Sequence, residues 1–599
     1  MKQPTWLAVM AFTLWSTIAQ GTSATPDAGI VLSHVTVIDA TNAPAQPDMT
    51  VVIADGRIAA IGNGSALPVP HGALLVDATG KFLIPGLWDS HVHWADKPFL
   101  PLFIANGVTG VRIMWGEAIH YEWRRQSEAG RLLAPRLCIG STPIDGPKPY
   151  IPGAVAVANV EQARQAVADE RRNGAEFIKI FDFLPRDEYF AIVDEAKKQG
   201  LPVAGHVPLS ISAEEASKAG QRSFEHLIGI LPACSTREND LKTAAEDDLA
   251  EIIAGKEGAR SLPHSKSLRQ TQLDTYLPEK ATSLFRVLRQ NGTWQCPTLN
   301  LLHAISHLDD SAVTNDPRLK YMPRWTREAW DPARARERYR TRLTEDVSLA
   351  KKEFERDLEV VGAMQKAGIG LLAGTDASNA YCMPGFSLHD ELGFLVRAGL
   401  TPLQALQTAT LNPARLLGNE KDFGTIEQGK IADLVLLDAN PLDDIRNTKR
   451  IAAVIFRGAL YSRVQLDKML SDVRAEAERL PISDVLMATI EKQGVVAAVQ
   501  EYRDLRSKQA AKYDFNAQEL IGLGYRLLGS KQIPEAIEIF KLSVEVDPTD
   551  FNTWDSLAEA YMDHGDKGLA IQDYKKSLEL NPNNTNALEK LKELGAAQP

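Results

Sequence analysis

The sequence predicts an α/β chain: a (β/α)₈ TIM barrel, a small β-sandwich built from both of its flanks, and a C-terminal all-α repeat module. Three observations predict it. Between residues 83 and 418, short apolar strand-like runs alternate with helical ones, the pattern of a parallel sheet. Eight such runs end near His91, Met114, Gly140, Ile180, His206, His226, Thr298 and Asp376, and eight is the number that closes a barrel. Asp547-Pro548 and Asn581-Pro582 then recur at an offset of 34 residues, the period of a paired-helix repeat.

The chain opens with a targeting signal at 1–24. Lys2 supplies a positive start, Trp6 to Trp15 a short apolar core, and Ala19, Gly21 and Ala24 the small residues that suit cleavage. That core is too short to span a bilayer comfortably, which favours export, periplasmic or secreted, over an uncleaved anchor. Residues 25–82 then read as short strands at Val35 to Ile38, Val51 to Ile53, Ile58 to Ile61 and Leu74 to Val76, with Asp55-Gly56 as a hairpin turn. Strand-like residues return at 419–465, in Leu434 to Leu437 and Val454 to Phe456. Neither stretch can bury a core alone, so the two are expected to pair into one sandwich.

Within 83–418, helical patterns such as Glu161 to Asn173 and Arg186 to Gln199 separate the strands. Thr401-Pro402 starts a helix, with the hydroxyl as N-cap and proline in the first turn. Long connections at 235–292 and 300–359 follow the sixth and seventh strands and would overhang a site on that face. Residues 466–515 read as a helical linker or degenerate repeat, with Ala498 and Tyr502, and 516–599 as tetratricopeptide repeats. There Leu523 and Leu557, Gly524 and Ala558, Ala536 and Ala570, and Phe540 and Tyr574 keep the repeat offset. The small residues let paired helices approach and the aromatics fill the groove between repeats. Such a module offers a docking surface for a protein partner or a self-association element.

Composition excludes several classes. A chain of 599 residues, 44% apolar and 24% charged, fits a soluble globular protein of at least two domains. A net charge of -11 without concentrated Lys/Arg argues against a nucleic-acid partner. The arginines from Arg334 to Arg342 are closely followed by acids and read as a solvated helix face. Cys138, Cys234, Cys296 and Cys382 form no Cys-x-x-Cys pair, so they read as buried thiols whose pairing is open. A Gly-x-Ser-x-Gly elbow is lacking, which removes the serine-hydrolase reading.

The chemistry concentrates at strand ends. His91 and His93 close one apolar run, and alternation along a strand points both imidazoles the same way. Lys179, His206, His226 and Asp376 close four others. Imidazole and carboxylate are ligands that zinc and similar divalent cations prefer, and the C-terminal ends of barrel strands are where this fold keeps its chemistry. A lysine ammonium has no lone pair, so Lys179 taken alone reads as a buried or snorkelling side chain.

Five stretches carry a family resemblance: Pro85 to His93, Gly174 to Lys179, Gly205 to Pro208, Gly374 to Asp376 and Gly429 to Val435. Together they resemble the amidohydrolase superfamily, in its imidazolonepropionase-like and metal-dependent dipeptidase branch, over residues 29 to 465. The resemblance implies a two-metal centre, zinc by default, bridged by a carbamate that carbon dioxide forms on Lys179. His91, His93 and Asp376 would hold one ion, His206 and His226 the other, and Asp376 would shuttle the proton. His389 and Arg112 are candidate substrate contacts, Arg112 alternatively pairing with a structural acid; relatives have an acid after this arginine where Ile113 stands. The expected reaction is hydrolysis of a small amide, such as a dipeptide or an N-acyl amino acid. Rivals are a cyclic-amide hydrolase, a one-metal deaminase and an idle adaptor. Deamination wants a glutamate where Leu209 stands, and an idle adaptor would be expected to have dropped a ligand.

Secreted protein is expected to begin after Gly21 or Ala24. N-terminal sequencing that still reads Met1 would overturn this.

Overall fold

A computed structural model describes residues 29–63, 67, 69–93, 96–151, 153–256, 266–339, 347–581 and 584–596. Residues 1–24, expected to be a targeting segment, lie outside them. No described helix is long and apolar enough to cross a membrane.

The two flanks of the barrel region meet. Strands β1 (Ile30–Val37), β2 (Gln46–Ala54), β3 (Arg57–Asn63), β4 (Leu74–Asp77) and β5 (Phe82–Pro85) precede it. Strands β13 (Leu434–Leu437), β14 (Ile451–Phe456) and β15 (Ala459–Ser462) follow it. All eight belong to one sheet, ordered β15-β14-β13-β5-β1-β2-β3, with β4 also on β1. The join is antiparallel, Leu83 opposite Leu436 and Ile84 opposite Val435. Asp55 and Gly56 both take positive φ, 50° and 69°, the two-residue turn that matches the twist of its hairpin. Leu32, Val51, Ile58, Leu83, Leu434 and Ile455 pack into one shared core. Among the described residues the ladders form one continuous sheet that joins both flanks.

Between the flanks run β6 (Leu87–Val92), β7 (Val108–Ile113) and β8 (Arg136–Ile139), then β9 (Ile178–Ile180), β10 (Val203–Gly205), β11 (Ser223–Glu225) and β12 (Trp294–Cys296). Each pairs in parallel with the next within its group, the register an alternating β/α chain requires. An isolated parallel bridge from Gly140 to Phe177 links the two groups. The eighth run was expected to end near Asp376 as a strand. It pairs only at single bridges, Leu371 with Gln295 and Ala377 with Val92. Asp376 itself leaves the extended region, at φ 61°, so no ladder runs through it.

The chain behind the second flank divides differently from the expected 466–515 linker. Helix Arg463–Ala477 buries Leu466, Val473 and Ala477 in the barrel's core. Helices Ile482–Gln493 and Val495–Lys508 instead share a second core with the repeats, where Ala498 and Tyr502 are buried. Gly524 is needed there, since a Cβ would stand 2.4 Å from the Phe540 ring. Because the two cores are separate, a chain ended after Leu480 is expected to keep its barrel and hydrolyse a small substrate at near the full-length rate. A folded, metal-loaded truncation without turnover would make the tail part of the site.

Candidate metal centre

Every residue of β6 is buried, Asp89, Ser90 and His91 included. Polar groups in such a place need partners. The Asp89 carboxylate accepts from the Thr375 backbone N–H at 3.0 Å and from its hydroxyl at 2.6 Å, clamping β6 to the segment that carries Asp376. Gly374 makes the approach possible, because a Cβ there would lie 2.5 Å from Cys296 Sγ and 2.8 Å from His91 Cβ. Gly205, at φ 132°, lets β10 close on β9, where a Cβ would meet Ile180 O at 2.3 Å and Lys179 Cδ at 3.1 Å.

These elements bring the expected residues together. His93 Nε2 lies 3.0 Å and His91 Nε2 3.3 Å from Asp376 Oδ1, and His226 Nε2 lies 3.8 Å from Asp376 Oδ2. One ligand atom each from His91, His226 and Asp376 falls within a 4.8 Å cluster. The His206 ring stands 5.1 Å from that of His226. Three of the four histidines have their other nitrogen occupied: Nδ1 of His91 meets Glu225 at 2.8 Å, Nδ1 of His206 meets Asp182 at 2.8 Å, and Nδ1 of His226 meets Thr298 at 2.7 Å. Such partners fix ring orientation and leave Nε2 as the available ligand atom.

The electrostatics keep the cluster ready to ligate. Burial pushes His91 down to about 3, against the pull of Asp376 and Glu225, so its ring is neutral at ordinary pH. Burial also lowers Lys179 to about 8, bringing neutral amine within reach near neutrality. Its Nζ is enclosed and has no hydrogen-bond partner, lying 5.1 Å from the centre of the Phe181 ring. His226, Thr298 and Asp376 all take left-handed backbone, at φ 60°, 50° and 61°. Each costs about 1–2 kcal/mol, so packing holds these strand ends in a strained arrangement.

Two candidates stand elsewhere. His389 is buried in helix Phe386–Arg397, with its ring nitrogens 2.9 Å from Thr448 Oγ1 and 3.0 Å from Asn106 O. Both nitrogens are spent on joining elements, so the structure does not bring this ring to the cluster. Arg112 meets a structural acid: it gives Nη2 to Glu225 Oε1 at 2.7 Å, Nη1 to Ser223 Oγ at 3.0 Å and Nε to Ser90 O at 2.7 Å. Burial opposes ionisation of Glu225, but Arg112 and His91 outweigh it and hold the carboxyl well below the usual range. Glu225, Asp182 and Thr298 escaped the sequence reading. A carboxylate inside Ser223-Phe224-Glu225, one residue before a candidate ligand, was the available signal. Cys296 lies beside His91 and Glu225, but burial raises its thiol well above its ordinary value. All four cysteines are buried and free.

Residues 82–460 match the amidohydrolase family, and residues 551–584 the tetratricopeptide repeat. The chain belongs to the amidohydrolase family. It is therefore a hydrolase, of a family that typically depends on metal, with a helical repeat region behind. Ochratoxinase of Aspergillus niger is 22% identical over 464 residues, covering 66% of this chain and 78% of that protein. Among solved structures, a bottromycin amidohydrolase is 26% identical with a TM-score of 0.58, covering 75% of this chain and 90% of its own. A Xaa-Pro dipeptidase with methionine bound in its active site, at 20% identity and TM-score 0.51, covers 73% of this chain and 100% of its own and shows the shared fold.

Arg112→Ala would leave Glu225 buried without its cation and is expected to cost about 3–5 kcal/mol. Denaturant unfolding checks it; a loss below about 1 kcal/mol, the scale of a surface pair, would mean that the pair is not structurally required.

Proposed function

We propose that this amidohydrolase cleaves the C–N bond of a small peptide-like amide, a dipeptide or an N-acyl amino acid, at a two-metal centre. The observation that carries the reading is the enclosed, partnerless Lys179 Nζ in a chain that also gathers His91, His93, His226 and Asp376. The donor set fits the group: His91, His93 and Asp376 would hold one ion and His206 and His226 the other, with zinc the default. Uptake of carbon dioxide by the neutral Lys179 amine, with loss of one proton, makes a carboxylate able to bridge them. Bound cations supply a water activated near neutral pH and a polarised scissile carbonyl.

The chain's own residues do the rest. Asp376 accepts the proton of the attacking water and delivers it to the leaving nitrogen, completing amide hydrolysis to acid and amine. Glu225, Asp182 and Thr298 keep His91, His206 and His226 from turning. Arg112 acts through Glu225 as a positioning residue. Residues 371–377 serve as the eighth stave of a closed barrel. The relatives' names, bottromycin amidohydrolase and Xaa-Pro dipeptidase, support amide and peptide substrates. We read the chain as exported, with the repeat module as a surface for a protein partner.

Lys179→Ala is expected to lose the bridge, the second metal and most of kcat, and a short carboxylic acid is expected to restore part of the rate. Lys179→Arg is expected to resist rescue, because the guanidinium keeps a positive charge there. Metal counting and rate assays decide it: two metals per chain and near-native turnover in Lys179→Ala would make the lysine structural.

A further inference from the structure

A cavity of about 330 Å³ lies at the other end of the barrel strands from the histidines. Its walls come from the strands' beginnings: Trp88 in β6, Arg136 opening β8, Phe177 just before β9 and Ser223 opening β11. The metal-ligand candidates occupy or follow the opposite ends of those strands. The volume suits a small molecule.

Its walls are flat and apolar. Trp88 stacks on Phe423 with centroids 4.7 Å apart and planes 11° from parallel. The Phe177 ring lies under the Arg112 guanidinium at 5.4 Å. The polar groups are unevenly balanced. Arg136 pairs with Asp433 at 2.5 Å, Asp422 with Arg57 at 3.1 Å, and Glu176 with Arg124. Arg222 gives Nη1 to Gly292 O at 3.0 Å and meets no carboxylate among the described residues. Arg112, only 3% exposed, has five N–H donors, and the described acceptors are Ser90, Ser223 and Glu225. Each Arg112 nitrogen has one acceptor, which leaves two of its N–H groups without one among the described residues, and Arg222 lines the same cavity. Such groups call for an acceptor.

We propose that this cavity binds a small aromatic carboxylate, its ring against Trp88, Phe177 and Phe423 and its carboxylate directed to Arg112 and Arg222. Aromatic walls select a flat apolar body, and one uncompensated guanidinium selects a single negative charge. The Arg112 that reads the carboxylate also holds Glu225 against His91, so occupancy is coupled to the histidine cluster.

The test is calorimetric titration of the full-length chain with phenylacetate, beside its neutral isostere phenylacetamide. Saturable phenylacetate binding is expected, weakened at least about tenfold by loss of charge in phenylacetamide or by Arg222→Ala, and less by Arg222→Lys. No saturable binding, equal binding of the two probes, or unchanged binding in a folded Arg222→Ala would each overturn the site. The titration needs no substrate, so its outcome stands apart from the hydrolytic reading. In rate assays, saturating phenylacetate is expected to change kcat; purely competitive inhibition would put the probe at the metal centre and overturn the coupling.

Discussion

The histidine cluster rests on one buried carboxylate. Glu225 stands between the Arg112 guanidinium and the His91 ring, 2.7 Å from one and 2.8 Å from the other, with no exposure to water. Three ionisable groups at such depth would be prohibitive singly. Together they neutralise and hydrogen-bond one another, the condition under which buried charge is tolerated. The arrangement spans three strands, since Arg112 comes from β7, Glu225 from β11 and His91 from β6. Replacing any member would leave a charge or an orphaned nitrogen in the core, so the cluster constrains relative strand position as firmly as the backbone ladders do.

Around that pair the chain trades regularity for convergence. Asp89 and Thr375 lock the first strand to the last segment, while Gly374 and Gly205 remove the side chains that would hold neighbours apart. His226 and Asp376 reach the cluster only by leaving extended backbone. A ladder continued through Asp376 would alternate its side chain with Thr375 and turn the carboxylate away from His93. The segment stays hydrogen-bonded to β6, Ser90 N–H to Ala373 O and Asp376 N–H to His91 O, but without a regular ladder through Asp376.

Much of this was legible in the sequence. The order of β/α elements, the repeat offset and the ligand candidates all follow from local pattern. His91 and His93 are read from alternation, and Asp376 from a Gly-Thr-Asp at a strand end. The supports were harder to see, because they depend on which strands are neighbours across the barrel. Arg112 was expected to meet either substrate or an acid and finds Glu225, 113 residues on. Ile113 follows this arginine, and the distant glutamate provides the counter-charge. His389 misled for the same reason: a histidine near Asp376 in sequence carries no information about which face of its helix enters the core. The expected pairing of the two flanks is seen in the join of β5 to β13, which places both in one sheet.

Cation binding would complete what the protein begins. A buried site penalises the charged forms of lysine and histidine, while neighbouring acids pull them the other way. Here burial, the largest influence on both, drives His91 and Lys179 towards the forms that can ligate or react with carbon dioxide. Protons therefore compete weakly with metal at His91. The enclosed Nζ of Lys179 and the Nδ1 of His93 are among the buried polar atoms that find no hydrogen-bond partner in the folded chain. Carbamylation, as proposed, would remove the first difficulty by converting a donor without an acceptor into a carboxylate. The strain at Asp376 and His226 would then have a direct physical purpose, since it brings their side chains together in the folded chain and would lower the reorganisation that ion binding requires.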